Sequence, residues 1–99
     1  MSLDPALLAD LERAIGAETV RDLLAVYRED LATRLAQLRA AEAPEEIRRH
    51  AHGLRSGAAS FGATALAAAA RDVESGGGSL AAVEHAASEV DAALALRLG

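Results

Sequence analysis

Cysteine, lysine and tryptophan are absent from the 99 residues, and the only aromatic side chains are Tyr27 and Phe61. Without cysteine the chain can form neither disulfides nor thiolate metal sites, and nothing in it points to an oxidising compartment. No apolar run approaches the roughly 18 residues of a membrane span, and the charged N-terminus lacks the basic start and apolar core of a signal peptide. We therefore expect a cytoplasmic protein with no membrane association.

Acidic residues outnumber basic residues. Ten arginines stand against fifteen aspartate and glutamate residues, which gives a net charge of -5. This balance repels phosphate backbones, so nucleic acids and anionic membranes are not expected as partners. The length predicts a single domain, residues 1–99, and a core this small leaves no room for an enclosed substrate cavity. A self-sufficient enzyme is therefore not expected.

Alanine supplies 26 residues, and β-branched residues are scarce. Since alanine is the strongest helix former and is depleted in strands, the composition predicts an all-α fold. Apolar residues recur at spacings of three and four in every segment between the helix-breaking signals. The predicted helices run from Pro5 to about Ile15, from about Glu18 to the turn at residues 41–43, from Pro44 to about Phe61, over residues 66–74, and from Leu80 to about Leu94. Residues 75–79, SGGGS, read as a flexible connection. The sum is an antiparallel four-helix bundle with a short additional N-terminal helix.

Three histidines are the candidates for chemistry, since imidazole can act as nucleophile, acid-base group or metal ligand. In the third helix we take the side that carries Ile47 as the buried side, and each successive residue is rotated by about 100° around the helix axis. On that wheel His52 falls about 140° from the buried direction and faces water, whereas His50 lies at the edge of the buried stripe. His85 does not lie on the predicted inner face of the last helix. His52 is thus the histidine that a partner could reach.

Arginines flank His52 one helical turn before and after it, at Arg48 and Arg55, and the same face carries the small residues Ser56 and Ala59. Two guanidinium groups around an accessible imidazole suit an anionic group on the ring, because they donate charge-assisted hydrogen bonds to phosphoryl oxygens. The alternative interpretation is a solvated helix surface on which the arginines pair with a nearby glutamate or with nothing.

Two glycines, Gly53 and Gly57, lie inside the third helix. Each costs about 0.5 to 1 kcal/mol there relative to alanine, so a reason for them is expected. Close approach of a partner protein to the His52 surface would supply one.

Residues 51–62, AHGLRSGAASFG, resemble the histidine-containing phosphotransfer (HPt) domain family of two-component phosphorelays. The signature of that family is a His, an aliphatic residue at +2, Lys or Arg at +3, small residues at +4 and +5, and Gly at +10. After His52 it is matched in turn by Leu54, Arg55, Ser56, Gly57 and Gly62. The resemblance covers the whole chain, including the short helix ending at Gly16, the long helix with Tyr27, and residues 66–74. Ser56 stands where glycine is most frequent in the family, Arg55 replaces the commoner lysine, and Gly53 is unusual.

The resemblance implies that His52 accepts a phosphoryl group from an aspartyl phosphate on a response-regulator receiver domain and passes it to another receiver. It implies a carrier without kinase or phosphatase activity of its own, in a pathway that also has a histidine kinase. No cofactor of its own is expected, and Mg²⁺ belongs to the partner receiver. Arg55 and Ser56 match family positions, whereas the phosphate- or partner-contacting roles of Arg48 and Ala59 rest on helix geometry. We expect a monomer.

Two alternatives stay open at this point. One is a bundle that docks a receiver through the His52 face without carrying phosphate. The other is the phosphoacceptor domain of a chemotaxis-type histidine kinase, which would receive phosphate from an ATP-binding domain. The initial Met and the lack of any part of a flanking domain favour a free-standing carrier. A di-metal bundle is not expected, since no Glu-x-x-His pair occurs, and no acid, base or metal cluster near His52 indicates hydrolysis.

Overall fold

Helices make up almost the whole of the computed structural model, which describes residues 2–99. They are α1 (Pro5–Ile15), α2 (Ala17–Ala40), α3 (Pro44–Ser60), α4 (Thr64–Glu74) and α5 (Leu80–Leu98). Over these described residues there is no strand, which confirms the predicted all-α class. The same residues include no helix that is both long and apolar enough to cross a membrane.

The first helix begins and ends at the residues that its sequence signals indicate. The Asp4 carboxylate accepts hydrogen bonds from the backbone N–H groups of Ala6 and Leu7, at 3.0 and 3.4 Å, and Pro5 is the first helical residue. Gly16 ends α1 with φ 91° and ψ 149°, a positive φ that favours glycine. Its carbonyl accepts the first hydrogen bond of α2, from Val20 at 3.1 Å. One glycine therefore joins the two helices directly.

The corner between α3 and α4 is short because Gly62 adopts a left-handed φ of 70°. The backbone N–H of Ala63 reaches back to the carbonyl of Ala58 at 2.8 Å, which closes the end of α3. A Cβ atom at residue 62 would collide with Asp4, so the N-terminus packs tightly against this corner. The corner turns α4 back along α3 and brings the end of α4 beside the middle of α3.

The long helix α2 contacts both α3 and α5, while α4 contacts the same two helices from the other side, and α1 packs against α2. Polar contacts give the relative direction of α2 and α5: Arg21 donates to the carbonyl of Leu98, and Arg39 pairs with Glu84 at 2.9 Å. The start of α2 thus lies beside the end of α5, so the two helices are antiparallel.

The core consists of the apolar stripes that the spacings predicted. Leu35, Ile47, Phe61 and Val73 are partly buried, and Leu80 is exposed at the start of α5. The other apolar residues at these spacings are buried: Val20, Leu24, Tyr27, Leu31, Leu38, Ala51, Leu54, Ala58, Leu66, Ala70, Val83, Ala87, Val90 and Leu94. In α3 the buried residues lie on one face of the helix, and the opposite face is exposed to solvent.

Candidate functional site

His52 lies on the exposed face of α3, between buried Ala51 and buried Leu54 along the chain. Its side chain is 55% exposed. Because core packing of Ala51 and Leu54 fixes the rotation of α3, the imidazole is held outward by the fold itself. This is the orientation that the helix wheel predicted.

The carboxylate of Glu74, in the last turn of α4, lies 2.7 Å from Nδ1 of His52 through its Oε2 atom. An ionised carboxylate can only accept, so a hydrogen bond of this length requires the proton of the neutral imidazole to be on Nδ1. The lone pair is then on Nε2, away from Glu74. Sequence analysis did not place a carboxylate beside His52, because Glu74 is brought there by the corner at Gly62, which turns α4 alongside α3.

Arg55 holds Glu74 from the other side. Its Nε atom lies 3.2 Å from Oε1 of Glu74, in a contact that is an ion pair but lacks the alignment of a hydrogen bond. The Nη2 atom of Arg55 also lies 3.2 Å from Nδ1 of His52. Since Nδ1 carries the proton that it donates to Glu74, two donors meet in this last contact, and it is not a hydrogen bond in that tautomer. Arg55 therefore acts on the imidazole through Glu74, whose side chain is only 20% exposed.

The other predicted site residues lie on two surfaces beside His52. Arg48 is exposed and lines a groove, together with Glu74, where the ends of α2, α3 and α4 meet. Ser56 and Ala59 are exposed and line a second, shallow groove between α3 and α4, which also includes Arg55. Their contacts with a phosphoryl group or a partner stay predictions.

The two glycines of α3 accommodate side chains of α2. A Cβ atom on Gly53 would collide with the Arg34 guanidinium, whose Cζ lies 3.0 Å from that position. A Cβ atom on Gly57 would lie 3.2 Å from Cε1 of Tyr27, whose ring stacks on Phe61 with centroids 4.7 Å apart. The close approach that the glycines permit is therefore made by α2 of the same chain, and not by a partner as we expected.

A comparison with protein-family models matches the family described as Hpt domain over residues 4–97. The chain belongs to the Hpt domain family. Hpt domains carry out histidine phosphotransfer in phosphorelays, where they interact with receiver domains and kinases. Neither the curated proteins nor the solved structures compared with the chain gave a match.

The remaining histidines of this Hpt domain lie apart from His52. His50 is partly buried, as predicted, and His85 is exposed and pairs with Glu89 at 3.2 Å. Among the residues of this Hpt domain that the structure describes, no three histidine or acidic side chains are placed to share a metal ion. Of the three histidines, His52 is the one that contacts a carboxylate of another helix.

Sequence reasoning missed two contacts made to α3 in this Hpt domain, that of Glu74 with His52 and that of Arg34 with Gly53. A weak signal existed for Glu74, since a carboxylate in the last turn of a helix is disfavoured by the helix dipole. For Arg34 the signal was indirect: Gly53 indicated that something approaches α3 closely, without saying from where.

Proposed function

We propose that this Hpt domain carries a phosphoryl group on Nε2 of His52 between receiver domains of a phosphorelay. The observation that supports this most strongly is the hydrogen bond of 2.7 Å between Nδ1 and Glu74. It commits one ring nitrogen to the proton and leaves the other as a nucleophile on an exposed surface. By contrast, the carboxylate beside the other exposed histidine, Glu89 beside His85, lies farther away, at 3.2 Å, and comes from the same helix.

In the proposed transfer the Nε2 lone pair attacks the phosphorus of an aspartyl phosphate on the receiver. The N–P bond forms as the P–O bond breaks, and the bonding electrons leave with the receiver carboxylate. The reaction needs mainly positioning and charge neutralisation, for which the receiver supplies Mg²⁺. No cofactor bound to this chain is required.

Glu74 and Arg55 act as positioning residues in this proposal. Attack through Nε2 places positive charge on the ring while Nδ1 still carries its proton, and the carboxylate of Glu74 stabilises that charge. Arg55 holds the carboxylate in place through the contact at 3.2 Å. Ser56 and Ala59 have small side chains, which leave room for a receiver to approach His52. Arg48 contributes positive charge at the edge of this surface.

The scaffold that we propose is one domain, residues 1–99, folded as an antiparallel four-helix bundle with α1 added at its start. It works as a cytoplasmic monomer and has no kinase or phosphatase activity of its own. The phosphate comes from a histidine kinase through a receiver.

The test is intact mass after incubation with a phosphorylated receiver and Mg²⁺, for the wild type, His52→Gln and the control His85→Gln. We expect one acid-labile phosphoryl group on the wild type and on the control, and none on His52→Gln. Binding of the receiver without transfer would indicate the docking-only alternative and contradict the proposal.

A second arm separates the two phosphate sources. The wild type is incubated with ATP and the catalytic domain of a chemotaxis-type histidine kinase, with no receiver present. Efficient labelling of His52 in this arm, together with failure of every phosphorylated receiver to label it, would favour the phosphoacceptor domain of such a kinase.

A further inference from the structure

The guanidinium of Arg34 rests directly on the backbone of α3 at Gly53, the residue after His52. Its Cζ atom lies 3.0 Å and its Cδ atom 3.6 Å from the position that a Cβ on Gly53 would occupy. Only glycine leaves room for this contact. The arginine thus lies beside the His52 surface although it belongs to α2.

An ion pair with Asp30 holds the side chain in that place. The Nε atom of Arg34 donates to Oδ2 of Asp30 at 2.9 Å, one turn earlier on α2. Since this bond uses Nε, the N–H groups on both Nη atoms can donate elsewhere. The guanidinium is therefore held in place through Nε, and the N–H groups of its two Nη atoms are available as donors.

The two arginines near His52 stand on opposite sides of it. Arg55 and Glu74 lie towards α4 and contact the Nδ1 atom of the imidazole. Gly53 is turned by about 100° from His52 in the opposite sense around α3, towards α2. Since Nδ1 lies against Glu74 of α4, Nε2 is the ring nitrogen on the side away from α4.

We propose that Arg34 is a phosphoryl-binding side chain of this site, and that Gly53 serves to admit its guanidinium. The proposal rests on the proposed function, since it concerns the phosphoryl group on Nε2 of His52. A phosphoryl group carries up to two negative charges, and guanidinium N–H groups bind its oxygens through strong, charge-assisted hydrogen bonds. Arg55 pairs with Glu74 on the Nδ1 side of the ring. The donor to a phosphoryl group on Nε2 therefore comes from α2.

The experiment uses phosphoramidate, a small phosphodonor, so that docking of a partner protein does not enter the measurement. Nε2 of His52 attacks its phosphorus, the P–N bond of the donor breaks, and ammonia leaves. The rate constant of phosphorylation is followed by intact mass for the wild type and for Arg34→Gln. We expect a decrease of about tenfold for Arg34→Gln, the effect of removing one charge-assisted hydrogen bond.

The matched control is Arg28→Gln. Arg28 lies on the same helix, has a similar exposure of 41% against 39%, and pairs with Asp91 as Arg34 pairs with Asp30, but it faces α5. Its rate constant should stay within about twofold of the wild type. An equal decrease in both variants would overturn the proposal, since loss of any arginine would then have the same effect.

Gly53→Ala tests the same contact without removing a charge. Its added methyl group displaces the flexible end of Arg34, and alanine favours the helix, so the melting temperature should be no lower than that of the wild type. We expect about the same tenfold decrease in the rate constant. It decides the question if Arg34→Gln does not fold.

The outcomes separate the two proposals. If the wild type is phosphorylated, His52→Gln is not, and Arg34→Gln or Gly53→Ala reacts as fast as the wild type, the role of Arg34 is wrong and the proposed function stands. If neither phosphoramidate nor any phosphorylated receiver labels the wild type, both proposals fail.

Discussion

The Nδ1 atom of His52 and the Oε2 atom of Glu74 lie 2.7 Å apart, although the two residues are 22 positions apart in the chain. One is on the exposed face of α3 and the other in the last turn of α4. The contact fixes both the tautomer and the orientation of the imidazole.

Replacing Glu74 by glutamine removes the negative charge and leaves a side chain of the same shape. The amide oxygen can still accept from Nδ1, but the hydrogen bond is no longer charge-assisted, so the developing positive charge on the ring is less well stabilised. We expect phosphorylation of His52 by phosphoramidate to be about tenfold slower. The measurement is the time course of intact mass.

Glu89→Gln is the control for this prediction, since Glu89 forms a second surface pair with a histidine, His85, at 3.2 Å. It should leave the rate unchanged. A Glu74→Gln variant as fast as the wild type would show that the carboxylate has no part in the transfer.

Sequence patterns predicted the helices well because each begins or ends at a residue with a clear backbone preference. Asp4 and Pro5 start α1, Gly16 ends it, and Pro44 starts α3. The exception in the core is Leu80, which continues the spacing of α5 but is exposed. Spacing shows which residues share a face, but it does not show where the neighbouring helices stop covering that face.

The site was predictable only in the part that depends on one helix. The outward direction of His52 and the proximity of Arg55 follow from the geometry of α3 alone. Glu74 and Arg34 come from neighbouring helices, and their positions depend on the corner at Gly62 and on the packing of α2 against α3. The sequence pattern within one helix predicts neither that corner nor that packing.

Leu54→Ala should destabilise the fold and leave the chemistry intact. Leu54 is buried in the core, and loss of its side chain leaves a cavity that costs about 2 to 5 kcal/mol. Urea unfolding measures the change. The control is Leu96→Ala, because Leu96 is 86% exposed and its loss should change the free energy of unfolding by less than about 0.5 kcal/mol.

At a temperature where Leu54→Ala is still folded, buried Ala51 and Ala58 still fix the rotation of α3, so His52 should be phosphorylated at the wild-type rate. A free energy of unfolding equal to that of the wild type would contradict the assignment of Leu54 to the core.

Gly57→Ala should be less stable than Gly53→Ala, although both changes favour the helix by about 1 kcal/mol. The new methyl group at residue 57 would lie 3.2 Å from Cε1 of Tyr27, a buried ring that stacks on Phe61 and would have to shift by a few tenths of an ångström. Overpacking of this kind costs about 1 to 3 kcal/mol. At residue 53 the neighbour is the flexible end of Arg34, which can shift.

Urea unfolding of the two variants, each compared with the wild type, gives the order of stability. A Gly57→Ala protein as stable as Gly53→Ala would mean that Tyr27 does not pack against α3 as described.

Alkaline pH provides a test of the core through one group. Burial, with a smaller contribution from the charge of Asp30, raises the pKa of the Tyr27 hydroxyl from 10.0 to about 12. The unfolded chain therefore loses this proton at lower pH than the folded one, and stability that is complete below pH 10 falls as the pH rises towards 12. The expected loss is about 2 to 3 kcal/mol. Because the sequence has one tyrosine and neither lysine nor cysteine, no other side chain is expected to titrate in this range.

Tyr27→Phe isolates that effect. The Tyr27 hydroxyl is buried and has no hydrogen-bond partner among the described residues, so its removal should also stabilise the protein by about 1 kcal/mol at neutral pH. The measurements are urea unfolding from pH 7 to pH 12 and, for the wild type, the absorbance of tyrosinate. In the variant the fall in stability between pH 10 and pH 12 should disappear. A fall of the same size in both proteins would place the alkaline sensitivity elsewhere, and a wild-type tyrosine that ionises near pH 10 while the chain is folded would show that its hydroxyl is not buried.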